Sequence, residues 1–465
     1  MAKKHIHLIG IGGVSMSGIA KSLMDKGYKV SGSDIKKSER VISLRNQGAK
    51  IYIGHDKNNI TIKNKPDIVV ISNAIEEKNE ELKKAKELNI KILKRAEMIA
   101  FLMKGKKGIA ISGTHGKTTT TGLVSSVLKS GQFDPTVMIG GDLPSIGGNI
   151  KLGDGEYFIT EADESDGSFL YFDSYITVVT NIELDHINYY DSKEKLLNTF
   201  KSFIMNSDKA GKSIVYAEDE TIKEIIDLKN DKILSYGINE GDIKATEIKM
   251  LPFGSYFDVE YNQRKLGEIN LQIPGKYNIL NSLAAIAVGL YSGMSFTDIK
   301  NGVEIFSGVK RRFEKKGLIG GDILILDDYA HHPTEIKETL KAAANTGYDR
   351  VITVFQPHRY SRTRYLFDEF CNSFTNTDHL IITDVYSADE ELTKESDKFL
   401  AKKMAKKCAK IYEFNVDYIK DVNEIASYLS NIIKSRDLVI TVGAGNIYKS
   451  GEKLIEIMKT NCEMA

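Results

Sequence analysis

A short glycine-containing segment, GTHGKTT at residues 113–119, has the residue types and the spacing that grip a triphosphate. Glycine lets backbone N–H groups approach phosphate oxygens, the Lys117 ammonium can reach the β- and γ-phosphates, and the Thr118 hydroxyl can coordinate Mg²⁺. The standard pattern has a further glycine where this chain has Ile111, and Gly113 stands in for it. The segment lies between a predicted strand at residues 108–112 and a predicted helix at residues 120–129. It therefore predicts a variant phosphate loop, the alternative being a tight turn with a solvated lysine. Its candidate ATP-binding residues are Gly113, Thr114, His115, Gly116, Lys117, Thr118 and Thr119.

Acidic and imidazole side chains follow two further apolar strands in the same part of the chain. The predicted strand 157–160 leads into Glu161, and the predicted strand 176–180 leads towards His186. Ligands bind at the carboxyl ends of strands in an open α/β sheet, so we expect Thr118, Glu161 and His186 to form a metal site. A hydroxyl, a carboxylate and an imidazole can hold Mg²⁺ together with phosphate oxygens. Because imidazole is an unusual ligand for Mg²⁺, we expect Mn²⁺ to replace Mg²⁺ at this site. A solvated turn is the favoured interpretation for the other acids of this run, Asp163, Glu164 and Asp166.

A second glycine-rich turn, GIGG at residues 10–13, follows an apolar strand near the start of the chain. Backbone N–H groups and the N-terminus of the following helix suit a diphosphate, and Asp34 can meet a ribose hydroxyl. The dinucleotide fingerprint is incomplete, because Ser15 holds its third glycine position. A sugar nucleotide, a nicotinamide cofactor and a purely structural turn are all compatible with these residues. The candidate binding residues are Gly10, Gly12, Gly13, Ser15, Met16, Ser17, Asp34 and Asn73.

Histidine and arginine residues are concentrated after two predicted strands in the last third of the chain. Strand 323–327 leads into DDYAHHP, and strand 351–355 leads into QPHRYSRTR. A single histidine at such a place is often a structural group, but several cationic side chains in two loops indicate a functional site. The side chains concerned are His331, His332, His358, Arg359 and Arg362.

Two asparagines precede an alanine-rich helix pattern. Asn278 and Asn281 are three residues apart and share one helix face. Capping of the helix N-terminus and contact with a ligand are both open roles for them.

Predicted strands and helices alternate along the whole chain and must position these candidate side chains. This alternation predicts an α/β fold with parallel sheets. The 465 residues correspond to roughly three domains. We predict boundaries that give residues 1–104, 105–310 and 311–465.

Composition and charge exclude several classes of protein. With 64 Lys and Arg against 63 Asp and Glu, the net charge of +1 argues against a general nucleic-acid binder. The three cysteines lack disulfide or metal-ligand spacing, which favours a reducing, cytoplasmic location. No apolar run approaches the length of a membrane span, so no membrane partner is expected.

These motifs together resemble the Mur ligases, the ATP-dependent amino-acid ligases of peptidoglycan synthesis. The matching strings occur in family order over nearly the whole chain: GIGGVSMSG, GTHGKTTTT, EADESDGSF, TNIELDH, PGKYNILN, SGVKRRFE, DDYAHHPTE, VFQPHRYSRT and GAGN. SMSG, DDYAHHPTE and FQPHRYSRT resemble the branch of the family that adds alanine.

The resemblance implies a Rossmann-like UDP-binding domain, a central P-loop ATPase-like domain and a Rossmann-like amino-acid-binding domain. It implies that Lys117 is the phosphate-loop lysine and that Glu161 and His186 hold Mg²⁺. The catalytic set that it implies is Lys117, Glu161, His186 and Arg312. Further ATP contacts would come from Asn278, Asn281, Arg312 and Asp328. The amino-acid pocket would comprise Tyr329, His331, His358 and Arg362.

The activity implied by the resemblance is the joining of L-alanine to the lactyl carboxylate of UDP-N-acetylmuramate. ATP would be consumed through an acyl phosphate, giving UDP-N-acetylmuramoyl-L-alanine, ADP and phosphate. The alternative within the family is a murein peptide ligase, which would attach a tripeptide. A nicotinamide dehydrogenase leaves GTHGKTT unexplained, and a non-enzymatic ATP switch does not need the histidine and arginine loops. Oligomeric state, the general base and carbamylation of a lysine remain open, and Lys201 is not assigned the last role.

Overall fold

The computed structural model of the chain describes residues 4–72, 74–183, 190, 192–207, 211–388, 390, 392 and 395–464, with the side chains of residues 396 and 461–464 excepted. The chain forms two compact units. The first comprises Met1–Thr246, Val259–Gly267 and Leu280–Ile305, and the second comprises Glu247–Asp258, Glu268–Ile279 and Phe306–Ala465. Helices alternate with mostly parallel strands in three sheets, which confirms the predicted α/β class. The boundaries after residues 104 and 310 stay predictions.

The first sheet is parallel and has its helices in the connections between strands. Over the described part of this region its strands are β1 (His5–Ile9), β2 (Lys29–Asp34), β3 (Lys50–Ile53), β4 (Ile68–Ile71) and β5 (Lys91–Lys94). Its helices are α1 (Val14–Asp25), α2 (Glu39–Asn46), α3 (Glu80–Glu87) and α4 (Arg95–Met103). The strand order is β3-β2-β1-β4-β5. The chain adds β2 and β3 on one side of β1 and then returns to add β4 and β5 on the other side, with all pairs parallel. Ligands of such sheets bind at the carboxyl ends of the strands beside this reversal in strand order, which is where the turn after β1 lies.

A buried polar network supports that turn from inside the first sheet. The Glu81 carboxylate is fully buried and contacts His7 Nε2 at 3.2 Å and His55 Nδ1 at 3.0 Å. Burial alone would raise the pKa of Glu81, but hydrogen bonds from His7 and Ser33 lower it below its usual value. The Ser33 carbonyl in turn accepts the N–H of Gly10 at 2.8 Å. The network therefore holds the end of β2 against the start of the glycine-rich turn.

The second sheet carries the phosphate loop near its middle. In the described chain its strands are β6 (Lys107–Ser112), β7 (Thr136–Leu143), β8 (Gly148–Lys151), β9 (Tyr157–Glu161), β10 (Ile176–Val179), β11 (Lys212–Tyr216), β12 (Ile233–Gly237), β13 (Ile243–Leu251), β14 (Gly254–Tyr261) and β15 (Arg264–Leu271). The helices of this region are α5 (Lys117–Ser130), α6 (Lys193–Met205), α7 (Glu220–Ile225), α8 (Lys276–Tyr291) and α9 (Phe296–Glu304). The order is β15-β14-β13-β12-β11-β10-β6-β9-β7-β8. Because β6 pairs in parallel with both β9 and β10, the three strands end at the same edge.

The third sheet lies in the second unit. For the residues that the structure covers, its strands are β16 (Glu314–Ile319), β17 (Ile323–Asp328), β18 (Arg350–Phe355), β19 (His379–Ile382), β20 (Asn415–Tyr418) and β21 (Asp437–Val442). Its helices are α10 (Pro333–Ala344), α11 (Tyr360–Tyr365), α12 (Phe367–Cys371), α13 (Leu400–Ile411), α14 (Ile425–Ile432) and α15 (Tyr448–Met464). The order is β16-β17-β21-β18-β19-β20, with only β16 antiparallel to its neighbour. The loops after β17 and β18 therefore leave the same edge, separated by β21.

Among the described residues, no helix combines the length and apolar character needed to cross a membrane.

Candidate active site

The phosphate loop lies between β6 and α5, as predicted, but the helix begins earlier than the sequence pattern indicated. Gly116 is the N-cap of α5 and has a φ of 84°, so the helix starts at Lys117 rather than at Thr120. Gly113 has a φ of 126°, and a Cβ there would overlap the Thr180 hydroxyl. Both glycines are thus required by the backbone. The first N–H groups of a helix have no acceptor within it, so the start of α5 can bind an anion.

The end of β10 stabilises the loop through Asn181. Its side-chain oxygen accepts the His115 N–H at 2.9 Å, and its side-chain nitrogen donates to the His115 carbonyl at 3.0 Å. Its backbone carbonyl accepts the Thr114 N–H at 3.1 Å. Sequence analysis did not single out Asn181, although a polar residue directly after a buried strand was the available signal.

Lys117 is held by acceptors on its own loop and by one carboxylate. Its Nζ atom donates to the carbonyls of Gly113 and Thr114 and contacts Glu164 Oε1 at 2.9 Å. Burial alone would lower the pKa of Lys117, but the Glu164, Asp163 and Glu161 carboxylates raise it above its usual value. The interpretation of Glu164 as part of a solvated turn is wrong, because this side chain is buried.

Glu161 ends β9, where it is the register partner of Ile111 on β6. Its Oε1 accepts the Gly140 N–H at 2.7 Å, which fixes the carboxylate near the edge of the sheet. Thr118 lies in the first turn of α5, on the loop that follows β6. Both offer oxygen atoms, which Mg²⁺ prefers, so the described part of the predicted site fits this ion. His186 lies outside the described residues, and the metal site stays a prediction.

The glycine-rich turn after β1 is closed by Asp34. The Asp34 carboxylate accepts the Gly12 N–H at 2.8 Å, and Gly13 is the N-cap of α1. Met16 and Ser17 are buried in the first half of α1. The Ser17 N–H donates to the Gly13 carbonyl at 2.9 Å and its hydroxyl donates to the Val14 carbonyl at 2.8 Å, so of these two residues Met16 is the one whose backbone N–H could serve a diphosphate. The structure thus places together most of the predicted sugar-nucleotide residues, Gly10, Gly12, Gly13, Ser15, Met16, Ser17 and Asp34. Asn73 lies outside the described residues.

Arg95 connects this turn with the acidic loop, a contact that sequence analysis missed. Arg95 starts α4, and its guanidinium lies 3.4 Å from Ser15 Oγ and 2.8 Å from Asp163 Oδ2. Burial alone would raise the pKa of Asp163, but Arg95 holds it well below its usual range. Asp163 is therefore a charged partner of Arg95, although 39% of its side chain stays exposed to solvent. No local pattern marks this pairing, because the residues come from two different sheets.

The two asparagines near the start of α8 have different environments. Asn278 donates to the Pro274 carbonyl at 2.6 Å, a contact that closes the turn before the helix. Asn281 accepts the Thr120 hydroxyl at 3.2 Å, which places it beside the first turns of α5. A Cβ at Gly116 would collide with the Asn281 side chain, so Asn281 lies against the phosphate loop. Contact of either with a nucleotide stays a prediction.

In the second unit, Asp328 ends β17 and organises the loop that follows. Its two carboxylate oxygens accept the N–H groups of Phe313 and Ala330, both at 2.7 Å. Burial raises the pKa of Asp328 to about 6, although Arg312 opposes the shift. The Arg312 guanidinium lies 5.2 Å from the ring centre of Tyr329. Asp328 therefore shapes the backbone through these two bonds.

The predicted amino-acid residues form a connected cluster of rings. The ring centres of Tyr329 and His331 are 5.4 Å apart, and those of His331 and His358 are 5.8 Å apart. Arg362 Nη1 lies 3.5 Å from His358 Nδ1. Tyr386 stacks on His358 with a ring separation of 5.7 Å and an interplanar angle of 10°. Sequence analysis missed Tyr386, whose loop carries no comparable histidine or arginine run.

His331 is oriented by acceptors on one side of its ring. Its Nδ1 lies 3.1 Å from the Tyr329 carbonyl and 3.3 Å from Glu335 Oε2, which favours the tautomer with a proton on Nδ1. Nε2 is then the atom with a free lone pair. Burial, followed by the charges of Arg362 and Arg312, lowers the pKa of His331 to about 4. Burial, followed by the adjacent His331 ring and then by the Arg362 and Arg359 guanidinium groups, lowers the pKa of His358 to about 3. Both rings are neutral at pH 7.

These two histidines predict a loss of stability in weak acid. Their pKa values are near 6.5 in the unfolded chain and lower in the folded chain, so the unfolded chain binds more protons below pH 6.5. The free energy of unfolding should then fall as the pH drops from 6.5 towards 4, by up to about 1.4 kcal/mol per pH unit for each histidine. Below about pH 6 the raised pKa of Asp328 acts in the opposite direction and offsets one histidine's share. Urea unfolding between pH 7.5 and 4.5 measures this slope. His358→Asn should remove one histidine's share of it, and parallel profiles for the two proteins would contradict the assignment.

Comparison with known proteins covers almost the whole chain. Three family models match in order: "Mur ligase family, catalytic domain" at residues 5–107, "Mur ligase middle domain" at 111–289, and "Mur ligase, glutamate ligase domain" at 311–445. The chain is 45% identical over 458 residues to the UDP-N-acetylmuramate–L-alanine ligase of Geotalea daltonii, covering 98% of each protein. It is 46% identical over 452 residues to that of Clostridium kluyveri, covering 97% of each.

A solved structure of a ligase of this kind has the same fold as this chain. The UDP-N-acetylmuramate–alanine ligase of Thermotoga maritima superposes with a TM-score of 0.83 at 28% identity, over 98% of this chain and all of that one. The chain belongs to the Mur ligase family, as the sequence resemblance indicated. The predicted organisation in three Mur ligase domains is confirmed.

Proposed function

We propose that this chain is an ATP-dependent ligase that joins L-alanine to the lactyl carboxylate of UDP-N-acetylmuramate in peptidoglycan synthesis. The observation that carries the proposal is the combination, in one chain, of a lysine-bearing phosphate loop with a pocket of neutral histidines and an arginine. The curated relatives that match over its full length bear the name of this activity. The glycine-rich turn after β1 is the proposed sugar-nucleotide site. The names of these relatives favour a UDP-sugar over a nicotinamide cofactor as its ligand.

The first chemical step activates the carboxylate. A carboxylate oxygen attacks the γ-phosphorus of ATP, and the bond from that phosphorus to the ADP oxygen breaks. Two anions must approach each other, so cationic groups have to neutralise the accumulating charge. Lys117 is charged and lies at the start of α5, where it can contact the transferring phosphoryl group. Thr118, Glu161 and His186 would hold Mg²⁺, or Mn²⁺ in its place, which would neutralise phosphate charge.

The second step is attack of the alanine amine on the acyl carbon. The C–N bond forms, the C–O bond to phosphate breaks in the tetrahedral intermediate, and the nitrogen gives one proton to the departing phosphate or to water. Arg362 is proposed to bind the alanine carboxylate, since a guanidinium can form two parallel hydrogen bonds with it. His331 is neutral at pH 7, so its Nε2 can accept a hydrogen bond from the amine. The Nδ1 of neutral His358 already accepts from the Arg362 guanidinium, so His358 orients that side chain instead. With a pKa of about 4, His331 orients the amine rather than stores its proton.

The proposal includes a cytoplasmic location, where ATP and the sugar nucleotide are available. One feature of the chain supports it. Cys371 and Cys408 are buried free thiols, and free thiols are typical of reducing compartments.

The decisive experiment is a coupled ADP-release assay of the purified protein with ATP, Mg²⁺ and UDP-N-acetylmuramate. We expect ADP formation to depend on L-alanine, with mass spectrometry showing UDP-N-acetylmuramoyl-L-alanine as the product. L-serine and glycine, tested in parallel, measure how well the pocket discriminates among small amino acids. Turnover with the L-alanyl-D-glutamyl tripeptide but not with L-alanine would overturn the proposal in favour of a murein peptide ligase.

A further inference from the structure

Glu164 is not among the residues proposed to bind ATP or metal, yet its carboxylate is buried beside the phosphate loop. Its side chain is only 3% exposed, and its Oε1 lies 2.9 Å from Lys117 Nζ. Its backbone carbonyl accepts the hydroxyl of Tyr190, which is itself buried. An acidic side chain with this burial and this partner is built into the site.

The contacts of Lys117 show what an arriving nucleotide must displace. An ammonium has three N–H donors. In this structure Lys117 directs Nζ towards the Gly113 carbonyl, the Thr114 carbonyl and the Glu164 carboxylate. A phosphate oxygen that binds Lys117 must therefore replace at least one of these acceptors, or share the ammonium with a second anion.

We propose that Glu164 is the resident counter-ion of Lys117, with which the phosphates of ATP and ADP compete. The inference rests on the proposed function only in taking the loop after β6 as the nucleotide site. Glu164 is a positioning residue: it keeps the ammonium charged and folded against its loop before nucleotide binds. It also weakens nucleotide binding and shortens the residence of ADP, because two anions contend for one buried cation.

The negative charge of Glu164 should weaken nucleotide binding whichever acceptor of Lys117 the phosphate replaces. If the phosphate displaces Glu164, the buried carboxylate loses the partner that compensated its desolvation. If the phosphate displaces a carbonyl instead, it lies close to a negative carboxylate that solvent does not screen. Glu164→Gln removes the charge in either case and keeps the size and an oxygen acceptor for Lys117.

The test measures binding of ADP by calorimetry, first in EDTA so that no metal contributes. We expect Glu164→Gln to bind metal-free ADP about tenfold more tightly than wild type, the order expected for one charge-assisted hydrogen bond. Stopped-flow displacement of a fluorescent ADP should show the gain as slower release. Glu164→Asp, which keeps the charge but withdraws it by one methylene, should show a smaller gain.

Asp166→Asn is the matched control, because it removes one negative charge from the same loop. Asp166 accepts the Ser168 N–H at 3.0 Å, a bond that the asparagine oxygen can keep. We expect its ADP affinity to stay within about twofold of wild type, as for a charge that does not contact Lys117. An equal gain in both variants would reflect overall charge and would overturn the proposal.

Two further outcomes would also overturn it. Unchanged or weaker binding of metal-free ADP to folded Glu164→Gln would show that the carboxylate only positions the lysine. Weaker binding confined to buffers with Mg²⁺ would identify Glu164 as a metal ligand. Absence of ADP binding to the wild-type protein would instead refute the proposed function, so the two failures are distinguishable. Thermal unfolding of each variant verifies that it is folded.

Discussion

Lys117→Ala is expected to abolish ADP release and ligation together, with a fall in kcat of at least about 10²- to 10³-fold, the effect of removing one preorganised charge-stabilising donor. The attacking carboxylate and the γ-phosphate are both anions, and Lys117 is the charged group at the start of α5. Positioning alone cannot replace it, because catalysis of phosphoryl transfer depends on electrostatic stabilisation as well as on positioning. The measurement is single-turnover ADP formation at saturating ATP and UDP-N-acetylmuramate.

Two further variants separate chemistry from folding for this residue. Lys129→Ala, at the exposed end of the same helix, should keep wild-type turnover. Removing Lys117 also takes the paired ammonium away from buried Glu164, so the alanine variant should unfold at a lower temperature. Lys117→Ala combined with Glu164→Ala removes both charges and should regain stability but not activity. Near-normal turnover in Lys117→Ala would refute the assignment of the loop.

Arg362→Ala is expected to raise the KM for L-alanine by about 10- to 100-fold, as for the loss of a charged hydrogen-bonded pair, while the KM for ATP stays nearly constant. Arg362 lies beside His358 in the ring cluster of the third sheet, where the alanine carboxylate is proposed to bind. The loss should therefore be specific to the amino acid. Initial rates of ADP release across alanine and ATP concentrations measure the two constants.

Two control variants separate the planar shape of the Arg362 guanidinium from its positive charge and from arginine loss elsewhere on the chain. Arg362→Lys keeps the positive charge but not the planar fork, so we expect an intermediate KM for L-alanine. Arg436→Ala removes an exposed guanidinium that pairs with Asp349 on the surface, and it should leave both constants unchanged. Equal increases in the KM of ATP and of alanine for Arg362→Ala would count against the pocket.

The strands and helices that carry the site could be predicted closely from local patterns. The strand before the phosphate loop was predicted at residues 108–112 and is Lys107–Ser112, and the strand predicted at 351–355 is Arg350–Phe355. Buried parallel strands are short apolar runs bounded by polar turn residues, so their limits are visible in the sequence. The start of α5 was three residues late, because Gly116 caps the helix in a left-handed conformation that the pattern did not reveal.

The partners of the charged side chains could not be predicted in the same way. Glu164 was predicted to lie in a solvated turn, yet its buried carboxylate contacts Lys117. Asp163 pairs with Arg95, the first residue of α4, and Asn181, which follows β10, holds the phosphate loop. Each contact joins residues far apart in the chain, whose proximity depends on strand order and register.

By itself, the sequence determined the family, the phosphate loop, the glycine-rich turn and the two histidine-bearing loops, because each is a local string of residues with a local chemical meaning. The tertiary structure decided which groups pair within those regions. Placing β6 between β9 and β10 brings the acidic loop over Lys117, and burial then makes Glu164 its counter-ion. Burial beside arginines likewise makes His331 and His358 neutral at pH 7. Burial and long-range charge depend on the whole fold, so no local pattern encodes them.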